Sequence, residues 1–176
     1  MGITLFPDGR ILHSNGVEIG STKMMDQWRL TQSKTIPANT STYLDSNWER
    51  NDKNAGASQI GAGMSVDSNG IWTFPTTGKY MIVVHLNNRA NSGDNTYLGL
   101  KSTTNNSTYI ECKRFQTGSS GGNGNSHSGS GEYFINVTDT SQVKIKYYPM
   151  SLQSGSYFEG SDAHLQSTIT YTRLSS

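Results

Sequence analysis

Side chains able to do acid–base, nucleophilic or metal chemistry are few in these 176 residues: four histidines, one cysteine and 13 carboxylates. His13, His85, His127 and His164 are scattered, with no i,i+2 or i,i+4 pair of the kind that holds a metal. One cysteine cannot complete a zinc set, so no metal or other cofactor is expected. Cys112, between Glu111 and Lys113, has no histidine motif beside it and reads as a small buried hydrophobe, not a nucleophile. A glycosidase would need two carboxyl groups roughly 5–9.5 Å apart across a sugar. The acids available for that are Asp45, Glu49, Asp52, Asp94, Glu111, Glu132, Glu159 and Asp162, all in polar surroundings that suggest solvated surface acids. The glycines fall in Ser/Asn-rich connections without the Lys-Ser/Thr pair of a phosphate loop. The expectation is therefore a protein that is not an enzyme.

Aromatic residues carry more information. Trp28, Trp48, Trp72, Tyr97, Tyr109, Tyr133, Tyr147, Tyr148, Tyr157 and Phe158 are interleaved with Asn, Gln and Ser. Two uses stand open for them: burial in a core or subunit interface, and stacking on sugars beside amide side chains. The charge balance is 14 Lys+Arg against 13 Asp+Glu with no basic run, which argues against a nucleic-acid or anionic-membrane partner. No stretch approaches the roughly 18 apolar residues of a spanning helix. The N-terminal residues lack a basic stretch followed by an apolar core, so no secretory signal is expected.

These residues must be positioned by strands. Ser, Thr, Asn and Gly number 24, 19, 15 and 19, a composition that suits turns and pleated segments and interrupts every helical window. Apolar residues recur with period two. In Lys79–Asn87, Tyr80, Ile82, Val84 and Leu86 share one face while Met81, Val83 and His85 share the other. Strands are expected likewise at Ile60–Val66, Ile71–Phe74, Thr96–Lys101, Thr108–Gln116, Glu132–Val137, Gln142–Tyr148 and Leu165–Leu174. In Gln142–Tyr148 the inward set is Val143, Ile145 and Tyr147. The fold class is all-β, a sandwich or barrel. Thr117–Gly131 is so rich in Gly and Ser that it reads as a flexible surface connection.

Residues 1–23 form a separate piece, with very short strands around the turn signals Pro7-Asp8-Gly9 and Ser14-Asn15-Gly16. Ribbons this small must pack on something. Two readings stand open: a meander folded on its own domain, and a docking arm presenting Ile3, Leu5, Phe6, Ile11, Leu12, Val17 and Ile19 to a partner. Residues 24–176 would then be the main domain. A lone cysteine permits no disulfide within the chain, and 32% hydrophobic content is thin for a monomer, so association with further chains is expected. The two-sided apolar strand at 79–86 points the same way, because its second face needs a cover.

The run from Gly70 to Ile82 resembles the most recognisable stretch of C1q/TNF-like jelly rolls, Gly-x-aromatic-x-x-Pro-x-x-Gly-x-Tyr-x-apolar, with Gly70, Trp72, Pro75, Gly78, Tyr80 and Ile82 in those places. The wider chain, roughly residues 24–174, is similar to C1q-like virion proteins of tailed marine phages and cyanophages. It has no collagen-like stalk, so complement-type partners are not implied. The resemblance implies a jelly-roll sandwich assembled as a homotrimer, with Met81, Val83 and His85 facing the threefold axis. It also implies a virion location and virion partners, in a capsid or at a fibre base. The expected role is a capsid decoration or head-fibre knob that touches the host surface; the alternative is a glycan-recognising, receptor-binding tail-fibre tip. For glycan contact the outward candidates are His127 in the Gly118–Ser130 loop and Tyr157 and Phe158 in the Ser154–Gly160 turn.

Overall fold

The computed structural model describes residues 3–5, 11–13, 18–19, 24–38, 43–52, 59–91, 94–119, 125–151 and 154–175. In chain order the strands are β1 (Ile3–Leu5), β2 (Ile11–His13), β3 (Glu18–Ile19), β4 (Met24–Leu30), β5 (Lys34–Thr35), β6 (Trp48–Arg50), β7 (Gln59–Ile60) and β8 (Ser65–Val66). They continue as β9 (Ile71–Thr73), β10 (Gly78–Ala90), β11 (Asn95–Thr103), β12 (Ile110–Ser119), β13 (Asn125–Val137), β14 (Lys144–Met150), β15 (Tyr157–Phe158) and β16 (Thr168–Ser175). The expected all-β class is what the chain adopts. Strands β1, β2 and β3 pair with one another in a small antiparallel sheet. The remaining strands build two antiparallel layers. In the front sheet β10 is flanked by β13 on one edge and by β16 on the other, followed by β4 and then β6 and β7; β15 and β5 extend the β16 edge. The back sheet runs β12-β11-β14-β9-β8.

The Gly70–Ile82 segment shows why those residue types recur together. Gly70 closes the turn before β9 at φ 70°, and Gly78 opens β10 at φ 138°, both in the left-handed region that glycine tolerates. A Cβ on Gly78 would come within 2.3 Å of the Ser175 carbonyl oxygen, so glycine is needed there on a second count. Between them, Trp72 drops into the space between the sheets and the chain crosses from back to front layer. Tyr80 fixes that crossing: its ring lies 4.8 Å from Phe74, and its hydroxyl donates to the Thr76 carbonyl at 2.9 Å.

Tyr80, Ile82, Val84 and Leu86 from β10 fill the core against Val143, Ile145 and Tyr147 from the back layer, all buried, as the period-two pattern required. At its centre the Trp72 ring lies 4.9 Å from Trp28, 5.9 Å from Trp48, 6.0 Å from Tyr147 and 5.4 Å from Tyr171. The Tyr171 hydroxyl donates to that of Tyr147 at 3.1 Å. Burial pushes both phenols well above the ordinary tyrosine range. Both stay neutral in the folded chain while ordinary phenols, with pKa about 10, ionise on unfolding. Their stabilising effect is complete below about pH 10 and is lost as the pH climbs from there toward the folded values, by about 1.4 kcal/mol per pH unit for each phenol. Urea midpoints at about pH 9 and pH 11 should show this fall, and Tyr147→Phe should flatten it; equal midpoints would contradict it.

Two expectations are corrected. Ile60–Val66 is not one strand: the chain turns at Gly61 (φ 69°), so Ile60 belongs to the front sheet and Val66 to the back. Nor is Thr117–Gly131 a loop where it is described, since Thr117–Ser119 ends β12 and Asn125–Gly131 begins β13. Its low complexity hides a period of two. Ser126, Ser128 and Ser130 face outward, while His127, Gly129 and Gly131 face in. Two of these inner positions are glycine because β12 approaches closely: a Cβ on Gly129 would lie 2.5 Å from the Gln116 carbonyl oxygen, and one on Gly131 would lie 3.0 Å from the Phe115 ring.

Candidate functional site

The outer face of the front sheet carries exposed apolar side chains. Antiparallel register aligns Ile60, Met25, Thr172, Met81 and Phe134 in one row across β7, β4, β16, β10 and β13. Ile60 is 42% and Phe134 60% exposed, with Leu174, 52% exposed, beside the row. A shallow depression of about 270 Å³ lies at this end, lined by Lys79, Phe134, Asn136 and Leu174 among others. The next row, Gln27, Thr170, Val83 and Glu132, is mixed, and the one beyond it, Thr168, His85 and Ser130, is polar. Apolar character thus fades along β10 from Met81 to His85.

Met81, Val83 and His85 share one face of β10, as their spacing predicted, and that face is the outward one; the first two are half-buried and His85 is exposed. Met25, Ile60, Phe134 and Leu174 were not anticipated. Consecutive Tyr133, Phe134 and Ile135 were the available signal for Phe134, since three apolar residues in a row must serve both faces of a strand. Met25 and Ile60 lie in sequence far from the strands beside them, and only the register brings them into the row.

The three residues expected to meet glycans do not form an outward cluster. Phe158 is fully buried and belongs to the core. His127 and Phe158 both lie opposite Asn88, whose own side chain is fully buried, on the inward face of the front sheet. Nε2 of His127 is itself buried. His127 and Tyr157 are both half-buried and retain some surface, but they do not share an outward patch with Phe158. Backbone pairing is described for Ile3, Leu5, Ile11, Leu12 and Ile19 in the small N-terminal sheet, while Phe6 and Val17 lie outside the described residues.

Most of the carboxylates considered for catalysis are engaged structurally, while Glu132 is exposed on the front sheet. Glu49, Asp52 and Asp162 converge, but on the fully buried guanidinium of Arg29, at 2.6, 3.4 and 3.1 Å. Arg29 also donates to the Ser161 carbonyl at 2.8 Å, so it ties two loops over the polar end of the front sheet. Glu159 pairs with Arg89 and Glu111 with Arg114, while Asp94 is buried and accepts from the Ser156 hydroxyl. Cys112 is half-buried, with Sγ 2.9 Å from the Ser102 hydroxyl. Among the described residues no group of three or more His, Cys, Asp and Glu is placed to hold a metal ion, and no helix is long and apolar enough to cross a membrane.

Two antiparallel layers in this strand order, with the chain crossing between them at Pro75–Thr77, define an all-β jelly roll of the TNF-like kind. Among solved structures the chain is similar to Eiger TNF from S. frugiperda, at 11% identity and TM-score 0.59 over 86% of this chain and 92% of that one. It is similar to murine APRIL at 8% identity and TM-score 0.57, over 86% and 98% of the two chains. A third likeness is to the PRD1 vertex protein P5, at 16% identity and TM-score 0.54, over 88% and 99%. No protein-family model and no curated protein matches the sequence. At these identities the likeness establishes the jelly-roll fold.

Proposed function

We propose that this chain is a structural protein of a virion, a homotrimeric knob that decorates a capsid or tips a head fibre and carries no enzymatic activity. The observation that supports it best is the apolar row Ile60-Met25-Thr172-Met81-Phe134 on the open face of a jelly roll whose fold is shared with a vertex protein. The resemblance of the Gly70–Ile82 segment implies trimers built on this sheet. Three copies of the row meeting about an axis would bury the large side chains that one copy leaves in water, and would supply burial that the composition makes scarce. Residues 1–23 serve in this reading as the arm that joins other virion proteins, and contact with the host surface is made by the outward end of the knob.

Met81→Lys tests the assembly. Lysine at position 83 could pair with Glu132 across the strand, whereas position 81 is flanked by Thr172 and Phe134, which offer no compensating charge. Three ammonium groups brought together in an apolar interface are strongly unfavourable. The wild-type chain should sediment as a trimer, and the variant as a folded monomer by circular dichroism. A monomeric wild type, or a trimeric variant, would remove this face from the assembly.

A further inference from the structure

Across the outer face of the back sheet, cations and tyrosine rings form one continuous chain of contacts. The Arg114 guanidinium lies 4.8 Å from the centre of the Tyr97 ring, and Tyr97 meets the edge of Tyr148 at 6.1 Å. Lys101 Nζ lies 4.6 Å from Tyr148 and 5.7 Å from Tyr43, and Lys146 Nζ lies 4.2 Å from Tyr43 and 4.7 Å from Tyr109. Three adjacent strands, β12, β11 and β14, supply Arg114, Tyr97, Lys101, Tyr148 and Lys146. The platform is held flat by Gly99, directly opposite Tyr148 on β11, where any Cβ would fall 2.2 Å from the ring.

Charge on this face is unbalanced. Arg114 is neutralised by Glu111 at 2.6 Å. Among the described residues the Lys101 and Lys146 side chains form no ion pair or hydrogen bond: Glu111, opposite Lys101 on β12, gives its carboxylate to Arg114 and to the Tyr148 hydroxyl, and the two ammonium groups rest on tyrosine rings, a modest attraction that leaves their outer N–H groups available. Lys144, donating to the Thr73 hydroxyl at 2.9 Å, adds a further cation at the edge. In a chain whose net charge is only +1, this concentrates positive charge on one surface.

We infer that the Lys101–Tyr43–Lys146 strip on the back sheet is a binding site for an acidic polysaccharide, its ammonium groups taking carboxylate, sulfate or phosphate groups on successive sugars. The strip runs along the outer face of a sheet, and a small ligand gains affinity mainly from concave sites, so the ligand is an extended polymer that lies across strands. Single-stranded nucleic acid is disfavoured because it needs open ring faces for base stacking, and here the rings already carry cations. A duplex would need a longer basic stripe than two uncompensated lysines provide. The site lies on the layer opposite the apolar row, so it does not depend on how that row is used. Affinity at one strip is weak and is multiplied wherever several copies are displayed together.

The test uses the full chain against immobilised dextran sulfate and polygalacturonate, with neutral dextran and oligothymidylate in parallel arms. Both acidic polysaccharides should bind, more weakly as salt is raised, and neutral dextran should not. Lys101→Gln/Lys146→Gln should weaken binding by about tenfold or more at low salt, with melting temperature and oligomeric mass unchanged. Lys101→Arg/Lys146→Arg should retain binding, as should Lys79→Gln on the opposite layer, which keeps the result interpretable if the glutamine variant is unstable. Equal binding by wild type and the glutamine variant would overturn the site. So would tighter binding to oligothymidylate than to either acidic polysaccharide, which would make it a nucleic-acid face.

Discussion

Trp72→Ala should lower the unfolding free energy by about 3–5 kcal/mol, the range for truncating a buried aromatic side chain. Trp72 is fully buried and is the one residue whose ring touches Trp28, Trp48, Tyr147 and Tyr171 together, so it couples both sheets. Its indole N–H has no hydrogen-bond partner among the described residues, so what is lost is apolar contact and the filling of space. The surrounding rings cannot collapse into the void, because each is anchored to its own strand. Natural domains are stable by only about 5–15 kcal/mol, so the variant chain should be largely unfolded at warm temperatures unless assembly compensates. Urea titration followed by tyrosine and tryptophan fluorescence should show a lower midpoint with an unchanged slope. A loss under about 1 kcal/mol, the scale of ordinary surface substitutions, would mean that Trp72 is not the keystone described.

The second large effect is expected at Asp26, a buried carboxylate on the inward face of β4. Its Oδ2 accepts from the Trp28 indole N–H at 2.9 Å and from the Met64 amide at 2.6 Å, while Oδ1 accepts from Arg50 Nε at 3.0 Å. The same Arg50 lies 4.7 Å over the Trp28 ring and donates to the Met64 carbonyl. One carboxylate thus pins the segment that leaves the front sheet at β7 and joins the back sheet at β8. Gly63 is part of the fit, since a Cβ there would come within 2.7 Å of Asp26 Oδ2. Asp26→Ala strands two N–H donors and a guanidinium; opening a buried ion pair costs about 3–5 kcal/mol, and the lower part of that range applies because the Arg50 side chain is 37% exposed. Asp26→Asn, which keeps an acceptor for Met64 and Trp28, should lose less. Hydrogen exchange at the Met64 amide should accelerate in the alanine variant, and unchanged protection there would refute the pinning role.

The strands that were legible in the sequence are those with one clear face. β11, β14 and β16 alternate inward apolar with outward residues over much of their length, and β10 keeps Tyr80, Ile82, Val84 and Leu86 on one fully buried face although its other face is partly apolar. β6 and β15 are only three and two residues long, too short to show a period. The start of β13 was missed because its inner positions are His127, Gly129 and Gly131: a strand whose buried face carries no apolar side chain has no hydrophobic signal to read. Phe158 was misplaced for the opposite reason. Its Ser/Gly-rich neighbours mark a turn, but the two residues of β15 tuck under β10, and burial there is decided by a strand some 70 positions earlier.

Local chemistry therefore determined the all-β class and the division of β10 into the sets Tyr80, Ile82, Val84, Leu86 and Met81, Val83, His85, because backbone conformation and side-chain alternation depend on neighbours in the chain. Only the tertiary structure decided what lies beside what. No basic run exists in the sequence, yet Lys101, Arg114 and Lys146 share one platform, and Ile60, Met25 and Phe134 share one row, because strand order and register join segments far apart in the chain. Those pairings are settled by burying both sheets' inner faces at once, a condition on the whole chain that no single segment carries.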